Sequence, residues 1–408
     1  MTSNAVPDNT TQSALTSARS NVARLGIAQA LAGANNAVAY ATGAIIGSTL
    51  APNKELATLP ITVFVVGMAI STLPTGAIAR RYGRRTAFLA GTSCGVLVGL
   101  LAAVAVIINS FWLFCIAMCF GGAYNAVVLS FRFAAADCVP PERKPRALSL
   151  VMAGGVFAGV LGPQLVTYTM DLWQPYVFAA TFVAQAAFAA LAGVVLSGVR
   201  VPKPTAAETA GGRPLGIIIQ QPRFIAAVTC GVVSYTLMNF IMTSAPLAMR
   251  LCGLSQESSN LGIQWHIIAM YAPSFFTGHL ITRFGTTRVI LSGLFLIALS
   301  AAIGLTGIDQ AHFWITLILV GVGWNFGFLG ASAMVLECHR PEERTRVQSL
   351  NDFMVFGMMT IGSFSSGTLL MSQGWNAVLW VTFFPIVIAI VALVATTMRR
   401  SNQASGAA

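Results

Sequence analysis

Apolar runs of about twenty residues, parted by short polar breaks, set the pattern of this chain, and twenty residues is what an α-helix needs to cross a bilayer core. The runs fall near 26–48, 59–79, 86–108, 111–134, 148–169 and 175–197, then near 224–247, 260–281, 288–306, 311–335, 348–370 and 376–397. Between the sixth and seventh lies Val201–Gly216, whose Pro, Gly and polar residues read as a linker. The pattern predicts an all-α membrane protein with twelve transmembrane helices in two pseudo-symmetric six-helix bundles. On that reading, residues 1–25 form a disordered cytoplasmic tail and 26–198 the first bundle. Residues 199–222 form a cytoplasmic linker, 223–397 the second bundle and 398–408 a second tail.

The halves echo each other. Gly76–Arg85 (GAIARRYGRR) returns 202 residues later as Gly278–Arg288 (GHLITRFGTTR). Asp137-Cys138, Pro141, Arg146 and Ser149-Leu150 return as Glu337-Cys338, Pro341, Arg346 and Ser349-Leu350, at an offset of 200. Two echoes at nearly one offset imply a duplicated six-span unit, the architecture of alternating-access carriers.

Composition sharpens this picture. Of 408 residues, 56% are hydrophobic and 9% charged, far below the quarter typical of soluble domains. The mean hydropathy is +0.76. The net charge of +11 would suit nucleic acid if it were gathered in a patch, but the basic residues sit in short loops between apolar runs. With both termini inside, twenty Lys and Arg fall on the inner side and only Lys54 and Arg250 outside, with Arg132 late in the fourth span. This bias predicts cytoplasmic termini, a multi-pass protein of a bacterial inner membrane, membrane lipid as its surroundings and no nucleic-acid partner. The seven cysteines form no CxxC pair or disulfide framework. There is no GxxxxGK[ST], GxSxG or HExxH motif, so nothing supports an enzyme.

The loop between the second and third spans resembles the signature loop of the major facilitator superfamily. Gly76, Arg81, Gly83, Arg84 and Arg85 match it, while Arg80 stands at the usual acidic position. The resemblance extends over essentially the whole chain after the tail and implies two bundles that rock about a central cavity, with this loop as a gating and topology element. Arg146, Arg283 and Arg346 fall in the corresponding inner loops. Arg132 and Asp137, near the inner end of the fourth span, read either as a conformational latch or as interfacial anchors. Asp352 in the eleventh span reads either as a protonatable coupling group or as the partner of an inner arginine.

Candidate substrate ligands lie in the seventh and eighth spans. Met238 and Met242 are four residues apart, as are His266 and Met270, so each pair lies on one helix face. Thioethers with one imidazole suit monovalent copper, although such methionines equally serve as packing. These two motifs resemble those of the bacterial copper-importing branch of the superfamily, the CcoA-like transporters. That resemblance implies copper as transported substrate rather than cofactor, supplied to cytochrome oxidase assembly through a cytosolic copper acceptor protein, by a monomeric carrier. Cys230 is open to two readings, a relay thiol or a core cysteine, and Cys252 with Met249 reads as a collecting point at the outer end. The sister group of riboflavin transporters implies the alternative of an organic solute, with Trp265, Tyr271, Phe275 and Phe276 as lining groups and Gln264, Asn239 and Asn351 as polar contacts.

Overall fold

The computed structural model describes residues 9–53, 56, 59–201 and 212–405. Its elements, in chain order, are α1 (Asn9–Leu50), α2 (Leu59–Tyr82), α3 (Arg84–Ile107), α4 (Phe111–Asp137), α5 (Lys144–Thr169), α6 (Ala179–Ser197) and α7 (Pro222–Leu251). They continue with α8, broken into Gln256–Tyr271 and Ser274–Phe284, then α9 (Thr286–Gly304) and α10 (Gln310–Val335). The stretch Arg344–Ser405 carries a non-helical Gly374 (φ 80°, ψ 178°), which divides it into α11 (344–373) and α12 (375–405). Single 3₁₀ turns at Pro141–Arg143 and Pro341–Glu343 lead into α5 and α11 at equivalent places in the two halves.

Nine helices among the described residues are long and apolar enough to cross a membrane by composition alone. α1, α8 and α11 fall short because they carry polar groups: Gln29, Asn35 and Asn36 in α1, His266 and the Ala272-Pro273 break in α8, and Gln348, Asn351 and Asp352 in α11. Of these, Gln29, Asn35, His266, Gln348, Asn351 and Asp352 are buried against other helices, which keeps their cost off the lipid surface.

The expected tails need correcting. α1 begins at Asn9, because residues 9–25 contain neither Gly nor Pro. Their last turns are anchored: Val22 and Leu25 are buried, the Asn21 amide donates to Arg200 O at 2.9 Å, and Arg24 donates to Gly198 O. At the other end α12 continues through Ser405, so residues 398–405 are helical too. Of the expected linker, residues 202–211 lie outside the described residues. Its remainder holds a helical turn at Leu215–Ile219 and an anchored Arg213.

The repeat is visible in three dimensions. Gly83 (φ 91°, ψ 159°) and Gly285 (φ 84°, ψ 160°) precede α3 and α9 with nearly the same left-handed backbone, a conformation that a β-carbon would strain.

Candidate functional site

The two bundles meet at the ends that carry the basic loops. α2 crosses α11 where Gly76 faces Ser349, and a β-carbon at Gly76 would lie 1.9 Å from Ser349 Oγ. α8 crosses α5 where Gly278 faces Arg146 and Ser149, and a β-carbon there would lie 2.7 Å from Arg146 Cα. These are equivalent contacts, Gly76 with Ser349 and Gly278 with Ser149. The second is also hydrogen-bonded: Ser149 Oγ donates to Ser274 O at 2.5 Å and accepts from Gly278 N at 3.0 Å.

Charge reinforces this closure. Arg84 reaches Asp137 at the end of its own bundle (2.5 Å) and Gln348 of the other (2.5 Å). Deeper, Arg132 pairs with Asp352 at 2.5 Å, bonds Ser332 Oγ at 3.3 Å and the Leu129 carbonyl, and lies against the rings of Phe133 and Phe328. Asp352 also accepts from the Asn351 amide at 3.0 Å. The sequence reading left Arg132 and Asp137 as either a conformational latch or interfacial anchors. They belong to two pairs, because Arg132 faces α11 while Asp137, five residues on, faces the start of α3. Beside the gate a cleft is lined by Thr72, Ser130, Gln348 and Asp352.

The remaining basic candidates are peripheral. Arg81 and Arg283 are exposed, each over the ring of its neighbour Tyr82 or Phe284 at 5.3 Å. Arg85 and Arg146 are exposed. Arg346 donates to Arg213 O at 2.6 Å, part of a clasp in which the Arg213 guanidinium grips the Glu343 carboxylate (2.8 Å). That grip holds the fully buried Glu343 carboxyl down at about 2.

α7 and α8 converge on α10. Tyr235 and Tyr271 both meet the indole of Trp324 edge-on, at 5.5 and 5.6 Å, and Phe328 stacks on that indole at 5.3 Å. Tyr235 also meets Phe356 at 5.5 Å. Tyr40 of the first bundle meets Phe64 of α2 edge-on at 5.5 Å, within its own bundle. The indole N–H of Trp324 has no partner among the described residues.

The expected metal ligands sit within this region. Met238 and Met270 are buried in one apolar cluster and Met242 packs against it. His266 is fully buried and its Nδ1 lies 2.6 Å from Leu317 O of α10. Because a carbonyl only accepts, Nδ1 carries the proton and Nε2 keeps a free lone pair, with no partner among the described residues. Among the described residues no three His, Cys, Asp or Glu side chains gather as a metal centre.

The flanking thiol candidates lie elsewhere. The Cys230 thiol is turned to the Ala389 carbonyl of α12 at 3.7 Å, Met249 is fully buried, and Cys252 is half-buried where α7 ends. Neither Cys230 nor Met249 offers a free surface, because α7 is packed around most of its circumference. Of the organic-solute candidates, Trp265, Gln264, Phe275 and Phe276 are exposed at the helix surface, whereas Asn239 is buried with its amide N–H₂ unpartnered.

One polar constellation escaped the sequence reading. Asn35 and Asn36 of α1, Tyr124 and Asn125 of α4 and Gln185 of α6 surround a cleft inside the first bundle. The signal was available, since uncharged amides in the middle of apolar spans are costly unless partnered.

The family model of the Major Facilitator Superfamily matches residues 25–273 and 228–407. The chain is 45% identical over 383 residues to the riboflavin transporter RfnT of Brucella anthropi, covering 93% of this chain and 96% of that protein. It is similar in fold to the transporter FucP in the outward conformation (TM-score 0.71, 13% identity, 93% of this chain and 98% of that one). The same holds for the proton:xylose symporter XylE (TM-score 0.74, 14% identity, 92% and 95%).

Proposed function

The chain belongs to the Major Facilitator Superfamily, and from that premise we propose that it carries riboflavin or a closely related flavin inward across the bacterial inner membrane by alternating access. As a member of that superfamily it is a membrane transporter and not an enzyme. The observation that carries the flavin reading is the 45% identity to a riboflavin transporter along nearly the whole of both chains. Tyr235, Tyr271, Trp324 and Phe356 form an uncharged aromatic cluster where α7, α8, α10 and α11 meet, and no charged group there opposes a neutral cargo. With the basic loops on the cytoplasmic side, as their charge bias argues, the gate of Arg84, Arg132, Asp137 and Asp352 is closed on the cytoplasmic side.

The test is uptake of labelled riboflavin in a riboflavin auxotroph with no other flavin carrier. Expression of this chain is expected to restore growth on low riboflavin and to give saturable, time-dependent accumulation. Accumulation no higher than the vector control, with the protein shown to be in the membrane, overturns the reading.

A second reading, copper as cargo, is favoured by one observation: His266, fully buried one helical turn before Met270, is held in the tautomer that leaves Nε2 free. It requires radioactive copper uptake in copper-limited cells that exceeds the vector control and is lost in both Met238→Ala and His266→Ala. Copper uptake that survives both substitutions removes it.

A further inference from the structure

The eighth helix is broken where the two bundles meet, and its two pieces are held by different partners. The outer piece (Gln256–Tyr271) is fastened to α10 of its own bundle at three levels. The Trp314 indole donates to Ser258 O at 3.0 Å, His266 Nδ1 to Leu317 O at 2.6 Å and the Asn325 amide to Met270 O at 2.6 Å. The inner piece (Ser274–Phe284) is docked on α5 of the opposite bundle, through Ser149.

Helix chemistry makes the join between them a hinge. Pro273 has no N–H for Ala269 O, and Phe275 and Phe276 turn back to the carbonyls of Ala272 and Pro273, three residues behind them. Met270 O, whose next-turn donor belongs to the other piece, receives the Asn325 amide, and the second hydrogen of that amide reaches Ser274 Oγ at 2.6 Å. Asn325 is fully buried and its own carbonyl oxygen lies 2.7 Å from the Thr277 hydroxyl, so one side chain spans both pieces. Just beyond, the Ser149 hydroxyl stands between Ser274 O, to which it donates, and Gly278 N, from which it accepts. Those two groups are four residues apart and would bond each other in an undisturbed helix. A side chain inserted into such a rung bends the helix. When the bundles part, Ser149 leaves with α5, and the nearest partner left to Ser274 O is Gly278 N. The helix therefore has two complete bonding arrangements, one for a closed gate and one for an open gate.

The first half supplies the control. Asn125 and Met68 stand where Asn325 and Met270 stand, at offsets of 200 and 202, and they too are bonded, the amide donating to the sulfur at 3.0 Å. Yet Ser71 occupies the place of Pro273, and α2 runs unbroken from Leu59 to Tyr82. Ser349, opposite Gly76, makes no such bridge among the described residues.

We propose that the inner piece of α8 is a hinged gate arm, with Ser149 and Asn325 as its positioning residues. It bends while Ser149 holds it to the first bundle and straightens, pivoting at Pro273, as the cytoplasmic side opens. α2 moves as a rigid rod, so the two halves of a duplicated fold open differently. This rests on the transporter fold alone and on neither cargo.

Spin-label distances test it, with Glu142 marking the first bundle, Ile225 the second and Arg283 the tip of the arm, all three exposed. The distance between Glu142 and Ile225 reports the gate. That between Arg283 and Ile225 reports the arm, and rigid rocking of the bundles leaves it constant. Gly76→Trp forces α2 from α11, since even a β-carbon there would lie 1.9 Å from Ser349 Oγ. It is expected to lengthen the gate distance and to shift the arm distance by about 5 Å, the travel of a tip about 15 Å beyond Pro273 for a change in bend of about 20°. The distance between Arg81 and Glu142, within the first bundle, is expected to stay fixed. Ser149→Ala leaves no orphan group, because Ser274 O and Gly278 N then bond each other, and it is expected to give the shifted arm distance in a larger share of molecules than show an open gate. Asn325→Ala is expected to broaden the arm distance, and adding Pro273→Ala to narrow it again, a rescue that a packing defect would not give. An arm distance unchanged from wild type in Ser149→Ala overturns the proposal, whether or not Gly76→Trp opens the gate: the break is then a static kink and the bundles rock as rigid bodies. An arm distance that stays fixed while Gly76→Trp opens the gate overturns it equally.

Discussion

Neutralising Asp352 tests the inner gate most directly. The Arg132 guanidinium is fully buried, and its charge is met by the Asp352 carboxylate at 2.5 Å. Asp352→Asn leaves that guanidinium with Ser332 Oγ at 3.3 Å, the Leu129 carbonyl and the two phenyl faces. Removing one partner of such a pair typically costs about 3–5 kcal/mol, because the remaining charge stays desolvated. Arg132 lies five residues, about 8 Å, from the end of α4, and Asp352 eight residues, about 12 Å, beyond the start of α11. In the state open on this face α4 and α11 part and water reaches both groups, so the substitution costs little there. The equilibrium is therefore expected to move toward that state by roughly 10²–10⁴-fold. Spin labels on Arg81 and Arg283, exposed on the two halves of this face, report the change as a second, longer distance population. A distance distribution identical to that of the wild type refutes the reasoning. Arg132→Met with Asp352→Leu removes both charges and is expected to restore the short distance, since an apolar pair of similar volume closes without a desolvation cost.

Other consequences follow from the same geometry. Gly278→Ala places a methyl 2.7 Å from backbone atoms of Arg146 and Pro145, and is expected to abolish uptake while leaving the protein folded and trapped away from the closed gate, read by the same distance measurement. Gly76→Ala meets a side chain instead, so its defect is expected to be relieved by Ser349→Gly, a rescue that a purely local helix effect would not give. The Glu343 carboxyl is held at about 2, below its ordinary 4.5, chiefly by its hydrogen bonds from Arg213. A depressed carboxyl stabilises the fold above its ordinary value and loses that contribution as pH falls toward the folded one. Wild type and Glu343→Gln are therefore expected to differ in thermal stability at neutral pH and to converge between about pH 4.5 and 2. Arg84→Met is expected to weaken the gate as well, read by the same distance measurement, because it removes the contact to Gln348 of the other bundle and leaves the Asp137 side chain, 4% exposed, without its counter-charge.

The sequence by itself determined the membrane class, the helical spans and the duplication, because hydropathy and repeated motifs are local properties of the chain. It also marked Gly83 and its echo Gly285, whose turns demand a conformation that glycine alone adopts freely. The ends were less legible: residues 9–25 read as a tail from their polarity, yet their helix is anchored by Asn21 and Arg24 against the chain more than 170 residues away.

Pairing was decided by tertiary structure alone. Arg132 and Asp352 are 220 residues apart and Arg84 and Gln348 264 apart, so no spacing rule connects them. The methionine and histidine motifs were legible as helix faces, but the bond from His266 to Leu317, which fixes the imidazole, depends on where α10 packs. The amide cleft shows the same division. Asn35, Tyr124 and Gln185 stand in three separate spans, each an isolated polar residue in an apolar run. Only helix packing brings them around one space, so no local pattern in the chain shows that they share it.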